Sequence, residues 1–228
     1  MKSATPYPMI VIIPAKNEAK SVTQVIQDIQ HYFDGTILVV DDASTDNTAQ
    51  LAADTGATVL PLAYSLGAWG AIQTGLRYAV KHGYNTAITM DADGQHEAES
   101  IPTLLNRLGD ACDVVIGAYP ERGSYLRQFA WAFFRKISSI NLEDLTSGLR
   151  VYNRPAITLL ASRAATLLEY QDMGVLMLLN QAGLQIKEVS INMRPRTDGH
   201  SRIFSSWWAV SRYMMQTLIL CIGRRKLR

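Results

Sequence analysis

Short apolar runs alternate along the chain with stretches in which apolar positions recur every three or four residues. Residues 9–13 form the first run, β-branched and closed by Pro14, the mark of a buried strand. Val22, Val25, Ile26, Ile29, Tyr32 and Phe33 then fall at helical spacing, up to Gly35. The same reading predicts strands over 36–40, 58–60, 87–90 and 114–116, with helices over 46–54 and 68–82 between them. Further on it predicts helices over 124–140, 155–168 and 172–182 and a strand over 185–191. Such alternation predicts an α/β fold with a mostly parallel, Rossmann-like sheet flanked by helices. No linker, repeat or low-complexity stretch divides it, so residues 1–203 read as one domain and 204–228 as an apolar, basic C-terminal helix.

Ligands of open parallel sheets bind at the carboxyl ends of the strands. Three polar clusters follow strands here: Lys16-Asn17-Glu18, Asp41-Asp42 and Asp91-Ala92-Asp93. They are expected to converge on one edge. Asp91 and Asp93, with Gln95 continuing the alternation, would share one side of an extended segment. Such oxygen donors suit a hard divalent cation, Mg²⁺ or Mn²⁺, although turn-formers ahead of a helix near Glu97 would look the same. Asp46-Asn47-Thr48 reads as a helix cap. Two adjacent carboxylates at 41 and 42 need a cation or hydrogen-bond donors beside them, and the hydroxyls of a ribose or the N–H edge of a base would serve.

In order and spacing, VIIPAKNE, ILVVDDASTDNT and MDADGQH resemble the inverting GT-A glycosyltransferases of family 2. DLTSGLRVYNR and IKEVSINMRPRTDGHSR narrow the resemblance to the branch that acts on polyprenyl phosphates, over about residues 9–203. The resemblance implies a GT-A fold and a sugar-nucleotide donor, UDP- or GDP-linked, whose nucleoside meets Pro14, Lys16, Glu18, Val40 and Asp42. It implies that Asp91, Ala92, Asp93 and Gln95 hold the cation and its diphosphate, and that Arg196 and Arg202 close over the phosphates. A guanidinium matches a phosphate bidentately, while a solvated basic face is the plainer account of the two arginines. Family members commonly have an aromatic at position 16 and Ser-Arg after the fifth strand. This chain has Lys16 and Ala118-Tyr119 there, which leaves Arg122 or Arg127 to meet an acceptor phosphate. Asp144 is the candidate base or acceptor-orienting carboxylate, or else a loop residue paired with Arg150; Ser147 and Gly148 shape the loop beneath the sugar.

Charge adds a further constraint. The 228 residues sum to +2, yet residues 194–228 carry eight Lys or Arg against Asp198 alone, which leaves the remainder at −5. A mildly acidic body with a basic tail suits an anionic partner and not a nucleic-acid reader, whose basic stripe is missing. Residues 203–223 are mostly apolar, with Trp207-Trp208 at one end and Arg224-Arg225-Lys226 at the other. Arg212 and Gln216 interrupt the run, which favours a helix at a membrane interface over a full span. Packing on the domain's own core, on a small membrane protein or on a second copy in a homo-oligomer remains open. The N-terminal apolar run is too short for a signal peptide, and two separated cysteines, Cys112 and Cys221, suit a reducing compartment. The expectation is a cytoplasmic protein, peripheral at the inner membrane face, that transfers sugar to a polyprenyl phosphate. The alternatives are transfer to a sugar hydroxyl and a catalytically inactive subunit that only binds nucleotide-sugar.

Overall fold

The computed structural model describes residues 8–109, 112–119, 142–166, 168, 172–194 and 215. The helix expected over 124–140, Arg122, Arg127, Arg196, Arg202, Cys221 and all of the C-terminal run except Met215 lie outside the described residues.

Seven strands form one sheet in the order β3-β2-β1-β4-β6-β5-β7. They are β1 (Met9–Ala15), β2 (Thr36–Asp41), β3 (Thr58–Pro61), β4 (Thr86–Thr89), β5 (Val114–Ala118), β6 (Arg150–Asn153) and β7 (Ile186–Ser190). β1, β2, β3 and β4 are mutually parallel, as are β5 and β7; β6 runs antiparallel to both β4 and β5. The α-helices are α1 (Val22–Tyr32), α2 (Thr48–Asp54), α3 (Gly67–Lys81), α4 (Ile101–Arg107), α5 (Arg154–Ala161) and α6 (Met173–Gln181).

Because strand side chains alternate, each strand feeds two cores. Ile10, Ile12, Leu38 and Val40 pack with Trp69, Ile72 and Leu76 of α3 and with α5 and α6. Val11, Ile13, Val39 and Ile88 pack with Val22, Val25, Ile26 and Ile29 of α1 and with α4. Helix α3 approaches β1 so closely that a Cβ on Gly75 would collide with the Ile12 side chain.

The sequence reading differs from the structure in two elements. Residues 155–168 are not one helix: α5 ends at Ala161, and a 3₁₀ turn covers Arg163–Ala165. Side chains of α3 take the carbonyls freed at the break. Gln73 donates to Leu160 and Ser162 at 2.9 and 3.0 Å, and Trp69 Nε1 donates to Ala165 at 2.8 Å. The sequence gives no sign of strand β6, because its four residues follow a polar loop and end in Asn153, the cap of α5, which accepts from Ala156 N–H at 3.1 Å.

Candidate active site

The three polar clusters emerge, as the sequence implies, at the carboxyl ends of neighbouring strands. After β1 and β2 the chain turns through left-handed conformations at non-glycine residues, Asn17 (φ 55°) and Ala43 (φ 56°). Such backbone persists only where its surroundings hold it. Here the two turns hold each other: Asn17 N–H donates to Ser44 Oγ at 2.9 Å, and Thr45 N–H donates to Asn17 Oδ1 at 2.8 Å. Glu18 N–H donates to Thr48 Oγ1 at 2.8 Å, and Asp46 accepts from Thr48 N–H at 3.0 Å at the start of α2, whose N-cap residue Asn47 makes no capping side-chain bond. Pro14 and Ala15 pair in register with Val40 and Asp41, which places Val40 and Asp42 beside the Lys16–Glu18 turn.

The structure supplies donors for the paired carboxylates at 41 and 42. Asp42, 3% exposed, accepts from Ser65 Oγ at 2.6 Å, Leu66 N–H at 2.6 Å and Gly67 N–H at 3.1 Å. It thereby anchors the β3–α3 connection, a role the sequence did not reveal. Asp41 accepts from Ser44 N–H at 3.3 Å and keeps one buried oxygen without a partner.

After β4 the chain does not stay extended. Ala92 and Asp93 form a turn that leaves through Gly94 at φ 75°, and Asp93 Oδ1 accepts from Gln95 N–H at 3.1 Å. The Gln95 carbonyl in turn accepts from Arg194 N–H at 2.8 Å. Arg194 also reaches Asp28 at 3.0 Å and Glu97 at 3.6 Å, so the segment leaving β7 is fastened to this turn two residues before Arg196. The Asp91 side chain is 43% exposed, while Ala92 beneath it is buried.

Among the described residues no group of three or more His, Cys, Asp or Glu side chains is arranged to hold a metal ion. What the turn offers is two partly exposed carboxylates, Asp91 and Asp93. That donor set fits a hard cation completed by water and by the oxygens of a diphosphate.

Asp144 and Ser147 are fully buried in the loop before β6, as is the Arg150 side chain at its start. Asp144 accepts from Thr146 N–H at 3.0 Å and from Tyr119 N–H at 3.3 Å. Arg150 donates to the carbonyls of Ser147 at 2.9 Å and Leu145 at 3.0 Å. The Ser147 hydroxyl has no partner. Gly148 packs directly on the Asp91 carboxylate, where a Cβ would collide, and its carbonyl accepts from Thr89 Oγ1 at 2.9 Å.

Glu188 of β7 fastens this loop from the far side, accepting from Glu143 N–H at 2.7 Å and Asp144 N–H at 2.8 Å. Burial pushes its carboxyl above the ordinary glutamate range. The two amides pull it down, less strongly than burial raises it, and the nearby charges of Asp144 and Glu143 add a smaller upward push. The folded state therefore holds the Glu188 proton more tightly than the unfolded chain, and stability falls as pH rises from 4.5 through the raised value. Glu188→Gln is expected to remove that fall while lowering stability by about 1–2 kcal/mol, since an NH₂ then opposes one amide. Urea midpoints of both proteins across this acid range check it; an unchanged pH slope in the variant would be the contrary result.

The domain model for glycosyl transferase family 2 matches residues 10–160. An undecaprenyl-phosphate mannosyltransferase of Micrococcus luteus is 34% identical over 161 residues, covering 63% of this chain and 65% of that protein. A polyprenol monophosphomannose synthase of Mycolicibacterium smegmatis is 28% identical over 165 residues, covering 65% of this chain and 62% of that one. The match thus spans just under two thirds of these relatives' own lengths. Among solved structures, glucosyl-3-phosphoglycerate synthase of Mycobacterium tuberculosis, in complex with Mn²⁺, UDP and phosphoglyceric acid, superposes with a TM-score of 0.73 at 22% identity. That superposition covers 95% of this chain and 79% of the synthase, a likeness of fold. The sheet is that of the GT-A glycosyltransferases, its acidic turns stand at the carboxyl edge, and the chain belongs to glycosyl transferase family 2.

Proposed function

We propose that the chain transfers one sugar, with inversion, from a nucleotide-sugar to a polyprenyl phosphate at the inner face of a membrane. The observation that carries this reading is the row of acidic turns after adjacent strands: Asp42 after β2, and Asp91 and Asp93 after β4, with the Lys16–Glu18 turn of β1 between them. The names of the two mannosyl-transferring relatives support the acceptor class.

Pro14, Lys16, Glu18, Val40 and Asp42 form the nucleoside side of the site. Asp91 and Asp93, with Gln95, would hold the divalent cation, Mg²⁺ or Mn²⁺, which supplies Lewis-acid neutralisation of the charge that builds on a leaving diphosphate. Arg196 and Arg202 follow the Arg194 fastening and provide bidentate phosphate contacts. Arg122 and Arg127 meet the acceptor phosphate, and Ser147, whose hydroxyl lacks a protein partner, is a further acceptor contact. A phosphate monoester is already ionised at neutral pH and needs orientation, not a base, to attack the anomeric carbon. In this reading Asp144, whose carboxylate accepts from the Thr146 and Tyr119 amides, holds the acceptor loop in shape and orients the acceptor. Among the described residues no helix is long and apolar enough to cross a membrane. Attachment is assigned to the basic, apolar stretch 204–228, acting alone or with a small membrane protein, because Trp207-Trp208 at one end and Arg224-Arg225-Lys226 at the other suit an anionic interface.

Nucleoside diphosphate release from a panel of UDP- and GDP-sugars, with Mn²⁺ or Mg²⁺ and with or without undecaprenyl phosphate in detergent, tests the reading. Release that requires the lipid is expected. Donor consumption that ignores the lipid and follows an added sugar hydroxyl would replace the acceptor assignment.

A further inference from the structure

His96 is not used by the chemistry above, and its surroundings are unusual. Its side chain is fully buried, and among the described residues no hydrogen bond reaches either ring nitrogen. A buried polar group without a partner costs stability, which makes a partner supplied on loading worth testing. The ring is not loosely held: the backbone of His96 bridges to Met193 in antiparallel fashion, and Gly94 sets the turn that delivers it. Nε2 lies 3.5 Å from Asp91 Oδ2, just outside hydrogen-bonding distance. Gly148 presses on the same carboxylate. Asp91 therefore leaves β4 with an imidazole edge and a backbone wall beside its carboxylate, its side chain 43% exposed.

We propose that His96 is a positioning residue for Asp91: the Nε2–H tautomer donates to Asp91 Oδ2 once a cation and diphosphate are bound, and fixes the carboxylate's orientation toward them. This deepens the reading of the site as a cation–diphosphate centre and rests on it. Catalytic hydrogen bonds are often long in the empty site and tighten on loading, and removing a group that orients a metal ligand typically weakens metal binding about 10- to 100-fold. The assignment also accounts for Nδ1. In the Nε2–H tautomer Nδ1 is a bare acceptor, so no second N–H is stranded in the buried site.

Two substitutions separate donation from packing. His96→Gln keeps an amide N–H near the Nε2 position, whereas His96→Phe keeps the ring shape and removes the donor. Mn²⁺ affinity is read by electron paramagnetic resonance in the presence of UDP and, separately, GDP, with thermal midpoints measured alongside. His96→Phe is expected to bind Mn²⁺ about tenfold more weakly and His96→Gln within about threefold of the parent. Parent-like Mn²⁺ affinity in the folded Phe variant, or equal losses in both variants at equal thermal midpoints, would overturn the proposal. The unsubstituted protein gives a check that no folding defect can obscure: long-range ¹⁵N–¹H correlation of the His96 ring with Mg²⁺ and nucleoside diphosphate present. The Nε2–H tautomer is expected, and an Nδ1–H tautomer overturns the assignment. Absence of any Mn²⁺ binding by the parent protein with either nucleotide would instead sink the reading of the site as a cation–diphosphate centre.

Discussion

Asp93→Ala is expected to reduce sugar transfer about a thousandfold, equivalent to about 4 kcal/mol of transition-state stabilisation. Asp93 has two separable duties. Its Oδ1 accepts from Gln95 N–H and closes the turn after β4, and in the proposed function its charge serves the cation and diphosphate. Alanine removes both, whereas Asp93→Asn keeps an oxygen for Gln95 and removes only the charge. If charge is what the reaction needs, both variants fall by a similar factor and both keep the parent's thermal midpoint, because the residue sits partly exposed at a turn. Single-turnover release of nucleoside diphosphate, measured with saturating donor, gives the comparison. Activity surviving in Asp93→Asn within tenfold of the parent would make this carboxylate a turn-former and leave the chemistry to other groups.

How far the sequence foretells this site depends on what each inference used. Elements fixed by a strand-length apolar run or by helical periodicity are legible: β1, β2, α1 and α3 fall within a residue or two of expectation. Their carboxyl-edge clusters follow from parallel topology alone. Strand β6 is different. Val151 and Tyr152 enter opposite cores only because β4 and β5 accept the strand between them, and such long-range pairing leaves little local trace. The Asp91–Gln95 segment shows the opposite limit. Its residue types are right for a cation, yet the geometry imagined for them, an extended strand with alternating side chains, gives way to a turn because Gly94 readily takes positive φ. Asp42 carries the same lesson. Its need for donors is readable in the sequence, but that Ser65, Leu66 and Gly67 supply them depends on a connection more than twenty residues away. His96 and Glu188 lie inside quoted motifs and went unassigned. Their partners, Asp91 and the Glu143–Asp144 amides, become neighbours only through the turn after β4 and the placement of β7 at the sheet edge.

Gly148→Ala is expected to cost nearly as much activity as loss of Asp91 itself, about a hundredfold or more, although the added group is one methyl. The reason is contact and not backbone conformation. Gly148 does not occupy the left-handed region, and the three nearest atoms to a Cβ there all belong to the Asp91 carboxylate. The wall cannot retreat, because the Gly148 carbonyl is held by buried Thr89. The carboxylate can, since 43% of the Asp91 side chain is exposed. The fold should therefore absorb the methyl by swinging Asp91 outward, at about 1–3 kcal/mol of overpacking, while the carboxylate leaves its working position. A double-mutant cycle makes the argument strict. With Asp91→Ala already present, Gly148→Ala has nothing left to displace. The double variant should then be no less active than Asp91→Ala and should recover most of the stability that Gly148→Ala alone loses. Additive losses in both activity and unfolding free energy would show that the methyl acts elsewhere in the loop, and that the close approach of Gly148 to Asp91 does not set the carboxylate.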